Sequence, residues 1–252
     1  MNIAIVTGAS SGIGREFALQ LVKILVKTDE IWLLARRKDA LEEVAQLLSE
    51  QVKKHNLNRK IQVIPIDIAD EKQLAGFAEV LMIKNARISV LVNCAGIGTY
   101  GSFEKLSRDE VAETVRVNVL GLTQLTKFCL PYMRKGSKII QAASGSAFLP
   151  QPDFAFYAAS KAYVYSFGRA LHKELKRDGI LVTVICPGPV DTPFLAHAYG
   201  RYGQMNLLKK LTMVKPEKVV HKALIDSKQK KEISIYGLPM NLLYRLTRGM
   251  MG

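Results

Sequence analysis

Apolar runs of strand length alternate along the chain with longer segments in which apolar residues recur at helical spacing. After the first run, at residues 3–6, a turn rich in glycine and serine leads into a segment where Phe17, Leu21 and Ile24 lie three or four positions apart. The same pattern predicts further strands at residues 30–35, 61–66, 89–92, 138–143, 181–186 and 232–235. It predicts helices at residues 38–55, 70–83, 107–129, 154–177, 216–228 and 239–250.

This alternation of strands and helices indicates an α/β fold. Because the strands are apolar throughout, we expect a parallel sheet covered by helices on both faces. An eight-stranded barrel of similar length competes with an open, doubly wound sheet, and the glycine-rich turn after the first strand favours the open sheet. No linker, repeat or low-complexity tract interrupts the chain. We therefore predict one domain over residues 1–252, with a Rossmann-type parallel sheet of about seven strands.

The turn after the first strand has the composition of a phosphate-binding loop. Gly8, Gly12 and Gly14 stand where the backbone must turn tightly and approach a ligand, just before a predicted helix. Unpaired N–H groups and the helix dipole favour an anion at such a helix N-terminus. The spacing G-x-x-x-G-x-G differs from both the G-x-G-x-x-G fingerprint and the Walker loop. The turn is a candidate anion site, and an ordinary glycine-rich turn is the competing interpretation.

Polar or conformationally special residues follow the predicted strands. Parallel strands place their carboxyl ends on one edge of the sheet, where open α/β folds bind their ligands. This edge would carry Arg36 and Arg37, Asp67, Asn93 to Gly96, Ser144, and Pro187 to Thr192. We therefore expect a ligand cleft along it.

The end of the second strand indicates which dinucleotide the cleft would take. An NAD site usually has Asp or Glu here, bonded to the ribose hydroxyls. This chain has Ala35 followed by Arg36 and Arg37, whose guanidinium groups suit a phosphate. We predict that the 2′-phosphate of NADP rests on Arg36, with help from Arg37, Ser10 or Arg15, and that NAD is less favoured. Two solvent-facing arginines at a helix start are the competing interpretation.

A second group of residues suits proton transfer. Tyr157 and Lys161 are four positions apart on a predicted helix and so share one face. A free tyrosine has a pKa near ~10, and a nearby ammonium group in a partly dry site can lower it toward the operating pH. Ser144 ends the fifth strand and is placed to hydrogen-bond a substrate oxygen. Taken alone, a Tyr-x-x-x-Lys pair is weak evidence.

Taken together, these motifs resemble the short-chain dehydrogenase/reductase family in its single-domain form of about 250 residues. The resemblance rests on Thr7-Gly-Ala-Ser-Ser-Gly-Ile-Gly14, Asn93-Cys-Ala-Gly96, Asn118, Ser144, Tyr157-x-x-x-Lys161 and Pro187-Gly188, in this order and at compatible spacing, and it covers residues 2 to about 192. The family usually has Asn-Asn-Ala-Gly where this chain has Cys94 in the second position. We expect little effect from this departure.

The resemblance implies four catalytic residues and a reaction that needs no metal. Tyr157 would be the general acid in carbonyl reduction and the general base in alcohol oxidation. Lys161 would bind the nicotinamide ribose and lower the pKa of Tyr157. Ser144 would orient the substrate carbonyl, and Asn118 would hold a water molecule that links Lys161 to solvent.

The resemblance also implies a binding site for the cofactor. The glycine-rich turn would hold the pyrophosphate, Asp67 and Ile68 would contact the adenine, and Asn93 would stabilise the central sheet. Val190 and Thr192 would bind the carboxamide. The full set of implied contacts is Gly8, Ser10, Ser11, Gly12, Ile13, Gly14, Arg36, Arg37, Asp67, Ile68, Asn93, Ala95, Gly96, Tyr157, Lys161, Pro187, Gly188, Val190 and Thr192.

We therefore predict an NADP(H)-dependent oxidoreductase that transfers a hydride between the nicotinamide and a carbonyl or secondary alcohol. A redox-sensing regulator that binds NADP without turnover is the alternative, and an epimerase or dehydratase is less compatible with the glycine spacing. The small-molecule substrate would lie between residues 148–156 and a loop at about 191–214, whose aromatic residues suggest an apolar or flat ketone. The resemblance implies a homodimer or homotetramer formed through the helices at 106–129 and 154–177.

Charge and cysteine content add expectations about the surroundings of the protein. The net charge is +14, and residues 201–252 contribute +8 of it through eleven Lys or Arg against three acids. Such a surface attracts anions, although no nucleic-acid motif accompanies it. We expect a cytoplasmic protein without signal peptide, membrane span or metal site, with Cys94, Cys129 and Cys186 as reduced, buried residues.

The C-terminal segment at residues 237–252 combines leucines with two arginines. Its apolar face, formed by Leu238, Leu242, Leu243 and Leu246, would cap the substrate pocket, pack against a second subunit, or touch a membrane surface with the arginines outward. Capping or packing is favoured over membrane contact.

Overall fold

A single seven-stranded parallel sheet forms the centre of the protein. The computed structural model describes residues 1–200 and 211–250, and of residues 248–250 only the backbone. The strands lie in the order β3-β2-β1-β4-β5-β6-β7, and all neighbouring pairs are parallel. They are β1 (Asn2–Thr7), β2 (Glu30–Ala35), β3 (Lys60–Pro65), β4 (Arg87–Asn93), β5 (Met133–Ala142), β6 (Leu181–Ile185) and β7 (Ile233–Ser234). The predicted open, doubly wound sheet is confirmed, and the barrel alternative is wrong.

Helices cover both faces of this sheet. They are α1 (Gly12–Ile24), α2 (Lys38–Lys54), α3 (Glu71–Ile83), α4 (Arg108–Val115), α5 (Leu122–Cys129), α6 (Ala155–Glu174), α7 (Pro193–Tyr199), α8 (Pro216–Lys228) and α9 (Leu238–Met250). Short 3₁₀ turns occur at Phe103–Lys105, Leu130–Tyr132 and Gly145–Phe148. No helix in the described part of the chain is both long and apolar enough to cross a bilayer.

Alternation along the strands produces one core on each face of the sheet. In β1, Ile3 and Ile5 face one core with Trp32, whereas Ala4 and Val6 face the other. The first core includes residues of α3 and α5, and the second includes residues of α1, α2 and α8. Because β1 and β4 are neighbours although β2 and β3 intervene in sequence, the chain reverses its winding direction between them, and a ligand cleft is expected at their carboxyl ends.

Most predicted boundaries lie within a few residues of the observed ones, with two informative differences. Strand β5 begins at Met133, earlier than expected. Gly136, with a φ of 93°, makes an irregularity within the strand, and β5 pairs with β4 on both sides of it. The helix expected at residues 107–129 is divided into α4 and α5 by a π-helical turn, Arg116–Gly121. This turn carries Asn118, and π turns are frequent at functional sites.

The predicted substrate loop is only partly described. Residues 201–210 lie outside the described residues, while α7 and an isolated parallel bridge between Val190 and Val214 flank that segment. The bridge joins the two ends of the predicted loop.

Part of the basic charge of the C-terminal region is neutralised inside the fold. The Asp226 side chain is 1% exposed and accepts hydrogen bonds from Lys222, from Lys231 at 2.8 Å and from Ser234 at 2.8 Å. Burial raises the pKa of Asp226, but these three hydrogen bonds outweigh it and hold the pKa below its usual value. The cluster fastens the end of α8 to β7, so two of the lysines have a structural role.

Candidate active site

The glycine-rich turn lies against the loop that follows β4. Gly8 and Gly12 have φ values of 64° and 55°, a region that strongly favours glycine. A Cβ on Gly8 would lie 2.9 Å from the backbone N of Ala95, and one on Gly14 would lie 2.3 Å from the carbonyl oxygen of Gly8. A β-carbon on either glycine would therefore collide with neighbouring backbone atoms. Helix α1 begins where the turn ends, and its first N–H groups are available for an anion. This geometry fits the pyrophosphate of a dinucleotide.

Side chains from β1 and β4 hold the two loops together. The Thr7 hydroxyl accepts hydrogen bonds from the backbone N of Cys94 at 3.1 Å and of Ala95 at 3.0 Å. The buried Asn93 amide donates to Thr126 Oγ1 at 2.9 Å and to Gln141 Oε1 at 3.1 Å. These bonds join β4 to α5 and β5.

The three cysteines are free thiols, but Cys94 departs from the expected burial. Cys129 and Cys186 are buried, whereas Cys94 is partly exposed. Burial nevertheless raises the pKa of the Cys94 thiol to about 12, although the nearby Lys161 lowers it. Cys94 therefore stays protonated at neutral pH.

Arg36 occupies the edge of the cleft but already has acidic neighbours. Its Nη1 lies 3.0 Å from Glu113 Oε1 and 3.9 Å from Asp67 Oδ2. Arg37 is exposed at the start of α2, and Ile68 is buried beneath the π-helical turn. The sequence indicated Arg36 and Asp67 but contained no signal for Glu113, which comes from α4.

Tyr157 and Lys161 lie on one face of α6 and are both buried, with exposed fractions of 7% and 4%. Lys161 Nζ donates a hydrogen bond to the Ala142 carbonyl oxygen at 2.9 Å, and it lies 5.8 Å from the centre of the Tyr157 ring. The end of β5 therefore positions the lysine beside the tyrosine. The predicted pair is brought together at the edge of the sheet.

Asn118 connects three parts of the site. Its Oδ1 accepts a hydrogen bond from the Ile97 backbone N at 2.9 Å, and its Nδ2 donates to the Ile97 carbonyl at 2.8 Å and to Ser160 Oγ at 3.0 Å. Ser160 in turn donates to the Tyr157 carbonyl at 2.7 Å. The π-helical turn thus fastens the loop after β4 to α6. Ser160 precedes Lys161 in the motif, and sequence reasoning did not single it out.

Two glycines in the loop after β4 make room for the side chains of Lys161, Asn118 and Tyr157. A Cβ on Gly96 would lie 3.1 Å from Lys161 Nζ and 3.2 Å from Asn118 Oδ1. A Cβ on Gly98 would lie 2.5 Å from Cδ2 of the Tyr157 ring. Gly96 was among the predicted residues, whereas Gly98 was missed although it stands only two positions later.

The electrostatics of the pair differ from the expectation. Burial raises the pKa of Tyr157 to about 12, a hydrogen bond with Ser144 lowers it, and Tyr199 raises it further. Burial lowers the pKa of Lys161 to about 8. We expected Lys161 to lower the pKa of Tyr157, but here desolvation acts on both groups and favours their neutral forms. Tyr157 is therefore a protonated phenol at neutral pH.

Ser144 lies beside a surface that the C-terminal helix covers. Ser144 Oγ accepts a hydrogen bond from the Ser146 backbone N at 3.1 Å. A Cβ on Gly145 would lie 2.1 Å from Cε of Met240, and one on Gly188 would lie 2.9 Å from its Sδ. Met240, Leu243 and Tyr244 of α9 pack inward. Of the four leucines predicted to form the apolar face, Leu238, Leu242 and Leu246 are instead exposed, so that face does not cap the pocket, and its contact with a second subunit or a membrane stays a prediction.

An aromatic cluster surrounds Tyr157. The Phe154 ring stacks on it with centres 4.3 Å apart, and Phe194 of α7 lies 5.4 Å away. Tyr100 stacks on Tyr199 at 4.6 Å within the same cluster. Phe148, which was predicted to line the substrate pocket, instead packs against α9, and its ring centre lies 5.3 Å from that of Tyr244.

Comparisons with known proteins agree with this geometry. A family model described as short chain dehydrogenase matches residues 2–201. A protein of Arabidopsis thaliana named 11-beta-hydroxysteroid dehydrogenase-like 3 is 34% identical over 205 residues, which make up 80% of this chain and 63% of that protein. The human Dehydrogenase/reductase SDR family member 7 is 37% identical over 191 residues, 74% of this chain and 55% of that protein. The chain thus spans less than two thirds of either relative.

Two solved structures show the same fold. A short-chain dehydrogenase from Sphingobium yanoikuyae in complex with NADPH aligns with a TM-score of 0.81 at 24% identity, covering 100% of this chain and 95% of that one. The bulky-bulky ketone specific alcohol dehydrogenase from Comamonas testosteroni aligns with a TM-score of 0.77 at 25% identity, covering 100% and 94%. Together with the family model, these similarities show that the chain belongs to the short-chain dehydrogenase/reductase family of oxidoreductases.

Proposed function

We propose that the protein is an NADP(H)-dependent oxidoreductase that interconverts a ketone and a secondary alcohol, with Tyr157 as the proton donor and acceptor. The observation that carries this proposal is the buried Tyr157–Lys161 pair at the same sheet edge as the glycine-rich turn. The family is consistent with it, because its members are oxidoreductases.

The residues of the cleft divide into a phosphate end and a reacting end. The glycine-rich turn would hold the pyrophosphate, and Arg36 would hold the 2′-phosphate that distinguishes NADP from NAD. At the reacting end, Lys161, Val190 and Thr192 would hold the nicotinamide half. When bound, the cofactor supplies the hydride.

Tyr157 is suited to donate a proton to a substrate carbonyl oxygen. Because burial holds its pKa at about 12, it keeps its proton at neutral pH and would release it only to a strongly basic, developing alkoxide. Ser144 hydrogen-bonds Tyr157 and would orient the same oxygen. Lys161, with a pKa of about 8, lies beside Tyr157 and is suited to restore its proton. This arrangement favours ketone reduction at neutral pH, and oxidation would require a higher pH.

We propose a bulky, apolar ketone as the substrate. The aromatic cluster of Phe154, Phe194 and Tyr199 around Tyr157 supports this, because such rings bind apolar surface well. The names of two similar proteins, a hydroxysteroid dehydrogenase-like protein and a bulky-bulky ketone specific alcohol dehydrogenase, point in the same direction.

The test follows NADPH consumption with steroids, acetoacetyl thioesters, small diketones and sugars, each repeated with NADH. Tyr157→Phe should lower kcat/KM by roughly 10²- to 10⁴-fold while NADPH affinity, measured by fluorescence, stays unchanged. Tyr163→Phe is the matched control, because Tyr163 lies on the same helix and its hydroxyl bonds Thr123 instead. Retained turnover in Tyr157→Phe would refute the assignment. NADPH binding without turnover of any substrate would favour the regulator alternative.

We also propose a homo-oligomer, either a dimer or a tetramer, in a reducing compartment such as the cytoplasm. Helices α5 and α6 present a shared outer face, joined by a hydrogen bond of 2.9 Å between Thr123 and Tyr163, and Leu120 beside it is exposed. The three free cysteines support a reducing compartment. Light scattering coupled to size-exclusion chromatography tests the assembly, and a monomer at micromolar concentration would contradict it.

A further inference from the structure

The ion pair between Arg36 and Glu113 spans the adenosine end of the cleft. Arg36 follows β2 and Glu113 belongs to α4, which follows β4. Strand β1 lies between β2 and β4 in the sheet, so the pair joins elements on either side of β1 and its glycine-rich turn. Its two side chains are 55% and 46% exposed.

The charges around Arg36 are unfavourable for an additional anion. One guanidinium faces two carboxylates, at 3.0 Å from Glu113 and 3.9 Å from Asp67, so the three side chains together carry a net negative charge. A 2′-phosphate that binds Arg36 must displace Glu113 or accept it as a like-charged neighbour. An NAD ribose carries no phosphate there and meets no such competition.

We propose that Glu113 is a specificity-determining residue that acts through Arg36 and weakens the preference for NADPH over NADH. The inference rests on the proposed function, because it assumes a dinucleotide in this cleft with its 2′ position at Arg36. Glu113 is a positioning residue: it holds the guanidinium across the cleft edge and competes with the phosphate for it. The protein therefore selects NADPH over NADH less strongly than it would with Arg36 alone.

The size of the effect follows from the exposure of the pair. Exposed ion pairs contribute little, because solvent and salt screen them. Glu113→Gln should therefore tighten NADPH binding by about two- to fivefold at low salt, and by less at high salt. NADH binding should change by less than about 1.5-fold, so the variant changes selectivity rather than the affinity for all dinucleotides.

The experiment is a double-mutant cycle read by fluorescence titration of the intact protein. Dissociation constants for NADPH and NADH are measured in the wild type, Glu113→Gln, Arg36→Gln and the double variant, at about 50 mM and 500 mM salt. In the Arg36→Gln background, Glu113→Gln should no longer tighten NADPH binding. Asp109→Asn is the matched control, since it removes one charge a single turn earlier on α4.

Several outcomes would overturn the inference. They are an unchanged NADPH affinity in Glu113→Gln, an equal gain for NADH, the same gain in Asp109→Asn, and a gain that persists without Arg36. These outcomes are distinct from failure of the proposed function. That failure would appear as a wild type that binds neither dinucleotide, or as an Arg36→Gln variant that binds NADPH as tightly as the wild type does.

Discussion

The two ends of the cleft are built on different physical principles. At the reacting end, Tyr157, Lys161 and Asn118 are buried, and each has hydrogen-bond partners in the chain. At the adenosine end, Arg36 and Glu113 are about half exposed and joined by a charge pair in contact with solvent. The first end is therefore rigid and costly to alter, whereas the second can exchange partners at little cost.

In the proposed function, this difference separates catalysis from cofactor selectivity. The reacting end must hold a neutral phenol and a desolvated lysine side chain in one geometry, which requires burial and hydrogen-bond partners within the chain. The adenosine end only needs to distinguish one phosphate group, and exposed side chains can do so. Changes at the reacting end should consequently affect folding and turnover together, and changes at the adenosine end should affect cofactor preference alone.

The largest expected effect concerns the charge on Lys161. Its pKa is about 8 in the folded protein against 10.5 as the ordinary value. Between these pH values the unfolded chain binds more protons, so the free energy of unfolding should rise with pH by about 3 kcal/mol on account of this group. Below pH 8 this contribution is lost, because the folded protein must then hold a buried ammonium group.

Lys161→Met removes this titration. Relative to the variant, the wild type should gain about 3 kcal/mol in the free energy of unfolding as the pH rises from 7.5 to 10.5. Urea denaturation across this range measures it, and subtraction cancels the lysines common to both proteins. Parallel pH profiles would show that Lys161 is not desolvated as the structure indicates.

An effect of similar size is expected from Asn118→Ala. The substitution removes the hydrogen-bond partner of the partly buried Ile97 backbone N–H and carbonyl, and one of the two partners of the buried Ser160 hydroxyl, which still donates to the Tyr157 carbonyl. We expect a loss of about 2–4 kcal/mol in the free energy of unfolding, together with a large loss of turnover. Arg36→Ala provides the comparison from the other end of the cleft, with an expected loss under about 1 kcal/mol. Equal losses in the two variants, measured by chemical denaturation, would contradict the contrast.

The sequence predicted that Tyr157 and Lys161 lie together at the sheet edge, because local constraints determine their placement. Tyr157 and Lys161 share a helix face by spacing alone, and the glycine-rich turn follows an unmistakable strand. The parallel direction of the strands follows from the alternation of apolar strands and helices. Ser144 was indicated by its place at the end of a predicted strand, whereas Asn118 came from the resemblance.

What could not be predicted depends on contacts between distant segments. Glu113 reaches Arg36 across 77 positions, and no pattern in the chain joins them. Met240 packs against Gly145 because α9 folds back over the sheet edge, which spacing along the sequence does not encode. The direction of the pKa shifts was missed for the same reason, since desolvation of Tyr157 comes from the rings of Phe154 and α7 packed around it.

The last prediction tests the adenosine end directly with Arg36→Asp. The variant places a third carboxylate beside Asp67 and Glu113 and removes the guanidinium that a 2′-phosphate would bind. NADPH should bind at least about tenfold more weakly, because a charge-assisted hydrogen bond is replaced by repulsion, while NADH affinity should stay within about twofold.

Fluorescence titration of both dinucleotides measures this change, with Lys38→Asp as the control, because it introduces the same charge reversal two positions along at an exposed residue outside the predicted contacts. A similar loss for NADPH and NADH would mean that Arg36 supports the fold of the cleft rather than selecting the phosphate. An unchanged NADPH affinity would place the 2′-phosphate elsewhere, with Arg37 and Arg15 as the next candidates. A selective loss in Arg36→Asp, combined with little change in the free energy of unfolding, would establish that selectivity at this end is separable from stability, which the buried reacting end does not allow.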